Sequence, residues 1–332
     1  MPLHVSTRDA EGVASASYPT GASVSDDERG ELRDSLTTFA TEAVNPATLD
    51  LDLLPLDEQV ALLCAENATV PDAVTAAAPQ LAAAIELAVS GMRDGGRIVY
   101  VGAGTPGRLG VLDASEIPPT YGMDPSRVVG VISGGDVAIR TAVENAEDDD
   151  VAGAAAMDEL GVGGNDTVIG ISASGRTPYV LGALLRAKEL GAATVGAACN
   201  VGSAIGEVSD VAIETIVGPE AVTGSTRMKA GTAQKLVLNT ISTLTMVRLG
   251  KVYGNLMVDV RATNEKLRAR SERIVMLATG TDAATAAAAL ASVDGWVKAA
   301  ILVVVTGLEG AEAVRLLNDR DGMLREAIAA AR

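Results

Sequence analysis

A glycine-rich loop, "GAGTPG" at 102–107, directly follows an apolar run and carries the first chemical signal in the sequence. It lacks the GK[ST] ending of a P-loop, and no acidic residue stands about 20 residues on at the end of a second strand, as a dinucleotide fingerprint requires. Backbone amides at a helix start can instead hold an anion. We therefore predict an anion site lined by Gly104, Thr105 and Gly107, although a structural strand-to-helix turn fits the same residues.

A second loop, "GISASGRTPY" at 170–179, offers hydroxyls and amides at another predicted helix start. Such a group of donors suits a phosphate monoester, whereas helix capping would account for only one of the hydroxyls. Further along, "GSTRMK" offers Ser225 and Lys229, and Lys229 fits a solvated or interface charge equally well. The phosphate contacts predicted in the second loop are Ser172, Ser174, Gly175 and Thr177.

Two glutamates are the candidate acid and base, because the one histidine, His4, lies in the N-terminal arm and both cysteines look structural. Glu116 stands two residues before Pro118, whose ring disfavours helix at the preceding residue, so a helix is expected to end there. Glu147, in "AVENAEDDD", is expected late in the helix after the second strand. A solvated helix end explains either carboxylate as well, so the local sequence leaves both roles open.

Five short β-branched runs alternate with helical stretches and indicate the fold class. The runs are apolar on both faces, as in parallel sheets that helices cover on each side. We expect a doubly wound α/β domain with a parallel five-stranded sheet, whose ligands lie beyond the carboxyl ends of the strands. Both loops described above fall at that edge. The runs lie at 97–102, 127–133, 166–172, 192–199 and 210–217.

The chain divides into three predicted regions. Residues 1–56 comprise a mobile arm and an N-terminal helix. Residues 57–251 comprise further helices, the sheet, and a long helix from Met228 to Leu249 whose apolar positions wrap almost all around it, so deep burial is expected. Residues 252–332 are alanine-rich, with turn signals between helical stretches, and predict a small C-terminal helical domain.

The net charge of −17 argues against nucleic acid or an anionic membrane as a partner, because those surfaces require basic footprints. An anionic ligand must therefore be held by local groups. Cys64 and Cys199 lack metal-ligand spacing, which indicates a reducing compartment. The N-terminus lacks a signal-peptide pattern, and the longest aliphatic run, near residue 300, is too short to span a bilayer, so a cytoplasmic protein is expected.

Several long stretches, taken together, carry a resemblance to a known family. They are "VGAGTPGRLGVLDASEIPPTYG", "ENAEDD", "GISASGRTPYV", "VGPEAVTGSTRMKAGTAQKLVLNT" and "GKVYGNLMVDVRATNEKL". In this order they resemble the N-acetylmuramic acid 6-phosphate etherase family, whose domain belongs to the sugar isomerase (SIS) class of phosphosugar-binding domains. The resemblance runs from about residue 26 to the C-terminus.

The resemblance implies cleavage of the D-lactyl ether of N-acetylmuramate 6-phosphate with water, giving N-acetylglucosamine 6-phosphate and D-lactate. It also implies a homodimer that uses no metal and no cofactor, with phosphate contacts in the two loops and with residues of a second subunit closing the site. The family's two functional glutamates correspond to Glu116 and Glu147 here. The family assigns the acid role to Glu116, and we assign removal of the C2 proton of the opened sugar to Glu147.

One position departs from the family, whose first loop usually reads GAGTSGR, whereas this chain has Pro106. Proline removes an amide donor and a hydroxyl from the expected phosphate site, and Thr105 could compensate. Two alternatives therefore stay open: a phosphosugar-sensing protein like the glucokinase regulatory protein, and a sugar-phosphate isomerase on the same fold. A sugar-phosphate-responsive transcription factor is disfavoured, since it would need a basic helix-turn-helix where residues 25–45 are acidic.

Overall fold

The computed structural model describes residues 40–259 and 265–332. The predicted mobile arm, most of the predicted N-terminal helix, and His4 lie outside those residues. The first described residues reach the edge of the sheet where the site was expected. There the Asn200 side-chain amide donates to the Thr41 hydroxyl (3.1 Å) and to the Ala173 carbonyl (3.2 Å), so this segment packs beside the second loop.

The sheet has five parallel strands in the order β2-β1-β3-β4-β5, which confirms the doubly wound α/β prediction. Each strand falls within one of the predicted runs. Strand β1 pairs with β2 on one side and with β3 on the other. Its last residue, Gly102, lies opposite Ile132 of β2 and opposite Ile171 of β3. The strands are β1 (Ile98–Gly102), β2 (Val128–Ile132), β3 (Thr167–Ile171), β4 (Ala193–Ala198) and β5 (Val211–Glu214).

Helices precede the sheet, connect its strands and follow it. Before β1 lie α1 (Leu56–Asn67), α2 (Val70–Ala76) and α3 (Ala78–Arg93). The strand connections hold α4 (Gly104–Tyr121), α5 (Gly135–Arg140), α6 (Asp150–Glu159), α7 (Pro178–Glu189) and α8 (Ala204–Val208), and α9 (Lys229–Arg248) follows β5. Single 3-10 turns lie at Pro46–Thr48, Leu51–Leu53, Pro125–Arg127 and Ala146–Asp148.

Each face of the sheet has its own apolar core, built almost entirely of aliphatic side chains because aromatic residues make up only 2% of the sequence. Helices α3, α4 and α9 pack on the face that carries Tyr100 and Ile171. Helices α6 and α7 pack on the opposite face, which carries Val99 and Val168. The deep burial predicted for the helix after β5 is confirmed, since residues such as Leu238 on α9 are fully buried.

Helix α4 does not end before its two prolines, so the helix end expected at Glu116 is wrong. The helix continues through Pro118 and Pro119 to Tyr121. Ile117 and Tyr121 are both buried in the core, and that packing outweighs the local preference of a residue before proline. The helix ends instead at Gly122, which has a left-handed φ of 61° and whose N–H donates to the Pro118 carbonyl (2.9 Å).

Glu147 does not lie late in the helix after β2, as the sequence had suggested. That helix, α5, ends at Arg140, and Glu147 sits in the 3-10 turn Ala146–Asp148 just before α6. The acidic run begins a helix because the Asp149 carboxylate caps α6, accepting the Ala152 N–H at 2.8 Å. Acidic side chains stabilise a helix start and destabilise a helix end, which explains the difference.

The C-terminal part is helical apart from a short hairpin, and it has a separate core. Asp259 accepts hydrogen bonds there from Trp296 (3.0 Å) and from the buried Lys298 (2.8 Å), and it pairs with Lys251 (3.0 Å). The boundaries at 57 and 252 stay predictions. The elements are β6 (Val252–Tyr253), β7 (Leu256–Met257), α10 (Glu265–Thr279), α11 (Ala283–Ala291), α12 (Val297–Thr306), α13 (Gly310–Asn318) and α14 (Leu324–Ala330).

Within the described ranges, no helix taken singly has the length and apolar character needed to cross a membrane. Two helix pairs joined at sharp bends meet the criteria of length and composition when taken together. In the first pair, the stretch that contains α1 and α2 (Leu56–Ala76) is joined to α3. In the second pair, α10 is joined to α11.

The contact between α6 and α7 depends on glycines, which gives a stability test. A Cβ added at Gly153 would overlap the Tyr179 carbonyl oxygen, which is backbone and cannot move aside. We expect Gly153→Ala to lower the free energy of unfolding by about 1–3 kcal/mol, measured by urea denaturation. Gly163→Ala is the control, because a Cβ there meets nothing within 4 Å. Equal stability of the two variants would contradict this packing.

Candidate functional site

The site expected from the sequence lies where two neighbouring strands lead in opposite directions. Strands β1 and β3 are adjacent, but the chain passes from β1 to β2 on one side and from β3 to β4 on the other. Such a switch point leaves a crevice beyond the carboxyl ends of the strands, where ligands bind in open α/β sheets. The two predicted loops follow β1 and β3 directly.

The first loop starts helix α4 with free backbone amides. No side chain caps this helix start, and its first turn contains no acidic residue. Gly104 has a positive φ of 55° and is exposed, and Thr105 is half-buried beside it. Gly107 is buried, and a Cβ there would collide with the Gly102 backbone and with Ile132. Gly107 therefore allows close packing of helix on strand, and Gly104 and Thr105 are the more exposed residues of this loop.

The second loop is held in shape by a cluster of hydroxyl groups. The Ser172 hydroxyl lies 2.8 Å from that of Thr177 and 3.3 Å from that of Ser174, and it accepts the Gly175 N–H at 3.0 Å. Gly175 has a φ of 75° and packs tightly against Ser203. Because Ser172 is buried, it organises the loop from inside, and Ser174 and Thr177 are left partly exposed.

Helix α7 begins at this second loop and also lacks a side-chain cap. Thr177 occupies the capping position but makes no capping hydrogen bond, and the first turn of α7 contains no acidic residue. The interpretation of these hydroxyls as simple helix caps therefore fails for Thr177. Two uncapped helix starts thus lie at the ends of adjacent strands, and each carries partial positive charge suited to an anion.

The third predicted contributor, around "GSTRMK", is arranged differently. The buried Glu220 carboxylate accepts the N–H groups of Lys229 (2.8 Å) and Ala230 (2.9 Å), so the start of α9 is already occupied by an internal anion. The Lys229 side chain is buried and pairs with Glu66 at 2.6 Å. The interpretation of Lys229 as a solvated charge is therefore wrong, because its ammonium forms an ion pair with a residue of α1. Ser225 is half-buried in the turn before α9.

The start of α9 nevertheless borders both loops. Gly231 faces the methyl group of Thr105, since a Cβ at Gly231 would lie 3.4 Å from it. Ala230 packs with Ala173 and with the buried Cys199. Burial raises the pKa of the Cys199 thiol to about 11, so this cysteine acts as an apolar core residue.

The two candidate proton-transfer groups are both exposed, on opposite faces of the sheet. Glu116 lies on α4, and Glu147 lies on the turn that packs beside α7. Neither carboxylate is hydrogen-bonded or ion-paired to another residue of the described ranges. The structure therefore leaves both carboxylates available to a ligand, and it does not bring them into contact within one chain.

Asp113, a buried acid on α4 near Glu116, was not identified from the sequence. Asp113 lies one helical turn before Glu116, accepts the Tyr100 hydroxyl at 3.0 Å, and lies 3.9 Å from the Lys235 ammonium. Burial raises the pKa of Asp113. The spacing of three residues between the two acids was a signal available in the sequence, since it places them on one helix face.

In the described ranges no group of three histidine, cysteine or acidic side chains is arranged to hold a metal ion.

Comparison with known sequence families places the chain in a class. The profile of the SIS domain matches residues 149–244, and the profile of the glucokinase regulatory protein N-terminal SIS domain matches residues 80–188. Together with the parallel sheet and its two loops, these matches define a SIS-domain protein.

Individual relatives narrow this class to one family. The N-acetylmuramic acid 6-phosphate etherase of Streptomyces avermitilis is 57% identical over 300 residues, which covers 90% of this chain and 96% of the relative. Proteins of the same name from Rubrobacter xylanophilus (53% identical, 91% and 99% covered) and Mycolicibacterium smegmatis (51% identical, 89% and 99% covered) are also similar. The chain belongs to the N-acetylmuramic acid 6-phosphate etherase family.

The ion pair between Lys229 and Glu66 makes stability depend on pH. The hydrogen bond from Lys229 lowers the pKa of Glu66 below its ordinary value of 4.5, against an opposing effect of burial. A carboxyl group of this kind contributes stability above its unfolded-state pKa and loses it as the pH falls through the folded-state pKa. The loss of stability in Glu66→Gln, measured by urea unfolding, should therefore be larger at about pH 7 than at about pH 3.

The control for this measurement is Glu58→Gln, which removes an exposed carboxylate from the same helix. A destabilisation by Glu66→Gln that stays constant over this pH range would contradict the ion pair.

Pro106 lies in the first turn of α4, where the N–H groups have no acceptor within the helix, so proline does not disrupt it. Serine there would add an amide and a hydroxyl to the open helix start. We expect Pro106→Ser to tighten binding of N-acetylglucosamine 6-phosphate by about five- to a hundredfold, measured by calorimetry. Pro125→Ser, at the opposite edge of the sheet, is the control. Unchanged affinity in Pro106→Ser would remove this helix start from the phosphate site.

Proposed function

We propose that this chain cleaves the D-lactyl ether of N-acetylmuramate 6-phosphate with water, giving N-acetylglucosamine 6-phosphate and D-lactate. The observation that carries the proposal is the pair of uncapped helix starts at the β1–β3 switch point. Relatives that are 49–57% identical over about nine-tenths of the chain bear the name of this activity.

The phosphate group is the part of the substrate that these helix starts suit. The amides of Gly104 and Thr105 and the hydroxyls of Ser174 and Thr177 are donors, as a phosphate dianion requires. Two acids at the start of α9 are already paired, Glu66 with Lys229 and Glu220 with two backbone amides. The two open helix starts supply partial positive charge in a chain whose net charge is −17.

The chemistry follows from the acidity of C2 once the sugar ring is open. C2 is then next to an aldehyde, so a base can remove its proton, and we assign this step to Glu147. The electron pair forms a C2–C3 double bond as the C3–O bond breaks, and Glu116 gives its proton to the departing lactyl oxygen. Water then adds its oxygen to C3, Glu116 takes a proton of that water, and Glu147 returns a proton to C2.

A second copy of the chain completes the site in this proposal. Glu116 and Glu147 lie on opposite faces of one sheet, so the Glu116 of one protomer is proposed to act with groups of its partner. An exposed apolar stretch near the N-terminus, Leu53 (76% exposed), Leu56 (75%) and Val60 (53%), supports a homodimer. We further propose that the enzyme acts in the cytoplasm, in recycling of peptidoglycan sugars.

One alternative function is favoured by a specific observation. The match of residues 80–188 to the glucokinase regulatory protein domain, together with Pro106 in the first loop, fits a protein that binds sugar phosphate without turnover. An aldose-ketose isomerase is less well supported, because it would not need an acid placed for a leaving group at C3. Release of D-lactate distinguishes the etherase from the sensor and from the isomerase.

Substitution of the glutamates tests the assigned roles. We expect Glu116→Gln and Glu147→Gln each to lower the rate of D-lactate release from N-acetylmuramate 6-phosphate by about a hundredfold or more, because each loses a proton-transfer group. Both variants should still bind N-acetylglucosamine 6-phosphate. Glu144→Gln, which removes an exposed carboxylate three residues from Glu147, is the control. Wild-type protein that binds the sugar phosphate but releases no lactate would favour the sensor.

Charge placed in the apolar stretch tests the homodimer. The double variant Leu56→Asp and Val60→Asp should sediment as a monomer and release little lactate, because burial of a carboxylate in an apolar interface is costly. Leu277→Asp changes an equally exposed leucine of α10 and should remain a dimer. A double variant with wild-type sedimentation would exclude this stretch from the interface.

A further inference from the structure

One glutamine in the long buried helix has no hydrogen-bond partner. Gln234 is 2% exposed, and neither its side-chain oxygen nor its side-chain nitrogen is bonded to any described residue. Buried amides almost always have partners, and leaving both atoms unpaired is costly. By contrast, the side-chain amide of Gln59 donates to the Leu51 carbonyl at 2.9 Å. Gln234 therefore calls for an explanation.

The position of Gln234 on α9 relates it to the site. With 3.6 residues per turn, Gln234 lies one turn beyond Ala230 and Gly231 and between their two directions. Gly231 faces Thr105 of the first loop, and Ala230 packs with Ala173 of the second loop. The Gln234 side chain therefore projects between the directions of two residues that border the loops, one helical turn further along α9.

The three other polar side chains in the first two turns of α9 have partners. Lys229 pairs with Glu66, the Lys235 ammonium donates to Asn239 Oδ1 at 2.7 Å, and the Thr232 hydroxyl donates to the Met228 carbonyl at 2.8 Å. The two loops contain glycines with positive φ values, Gly104 and Gly175. An unpaired amide one helical turn from residues that border these loops points to a second arrangement in which it is bonded.

We propose that Gln234 is a positioning residue of the phosphosugar site: its amide gains hydrogen-bond partners in the loop backbone when a phosphate monoester draws the two loops together. This inference rests on the proposed function, because it takes the phosphate site as the place where the ligand binds. The buried amide is destabilising in the free protein and stabilising in the loaded one, so part of the binding free energy comes from its new bonds.

The test compares two isosteric changes on one helix. Gln234→Met removes the amide and keeps its approximate volume. Thr245→Val is the matched control, because Thr245 is fully buried on nearly the same helix face with an unpaired hydroxyl, about 16 Å further from the site along the helix axis. Both variants should unfold at urea concentrations equal to or above that of wild type, since each removes an unpaired buried polar group.

Binding of N-acetylglucosamine 6-phosphate then separates the two variants. We expect the affinity of Gln234→Met to fall about tenfold and that of Thr245→Val to stay unchanged. Wild-type affinity in Gln234→Met would overturn the inference, and so would a clear loss of stability, since that would mean that the amide has a structural partner in the free protein. Failure of the wild type itself to bind this sugar phosphate would instead overturn the proposed function, and the inference with it.

A measurement on the wild type tests the proposal without any substitution at Gln234. The chain contains only three glutamines, at 59, 80 and 234. Protein labelled with nitrogen-15 in glutamine side chains should therefore give three pairs of NH2 signals. The variants Gln59→Glu and Gln80→Glu each remove one pair, which identifies the Gln234 pair for titration with the sugar phosphate. A large shift of the Gln234 signal supports the inference, and an unmoved signal in ligand-saturated protein overturns it.

Discussion

The first turns of α4 and α7 carry partial positive charge that no described side chain of the protein neutralises, and the rest of the site depends on this. Both helices begin at the ends of adjacent strands, and both lack a capping side chain and an acidic residue in the first turn. A helix start that is left open in this way is unsatisfied until an anion or water reaches it. The parallel sheet provides the geometry, because only adjacent strands at a switch point bring two such starts together.

The start of α9, the third helix near the site, is neutralised by the protein's own side chains. The buried carboxylate of Glu220 occupies the start of α9, and the Lys229–Glu66 pair neutralises the adjacent charge. Helix α9 can therefore be buried across the sheet without a ligand. The contrast matters because the sequence alone made all three helix starts look alike, and only tertiary contacts distinguish the structural one from the two that remain open.

The strands and the glycine loops could be predicted because their signals are local. The β-branched runs and the glycines at 102–107 hold most of the information that decides those elements. Tertiary contacts decided the rest. Helix α4 continues through Pro118 because Ile117 is buried in the core. Glu147 precedes a helix, and does not end one as predicted, because Asp149 caps the helix that follows. The partner of Lys229 could not be found from sequence, because Glu66 lies 163 residues away.

The position of solvent oxygen in the two products tests the proposed elimination and hydration most directly. The protein would be incubated with N-acetylmuramate 6-phosphate in heavy-oxygen water, and fragment mass spectra of both products would locate the label. Elimination followed by hydration predicts an unlabelled lactate hydroxyl and one solvent oxygen at C3 of the sugar, because the C3–O bond is the one that breaks. Label in the lactate hydroxyl would mean attack at the lactyl carbon, and it would contradict the roles given to Glu116 and Glu147.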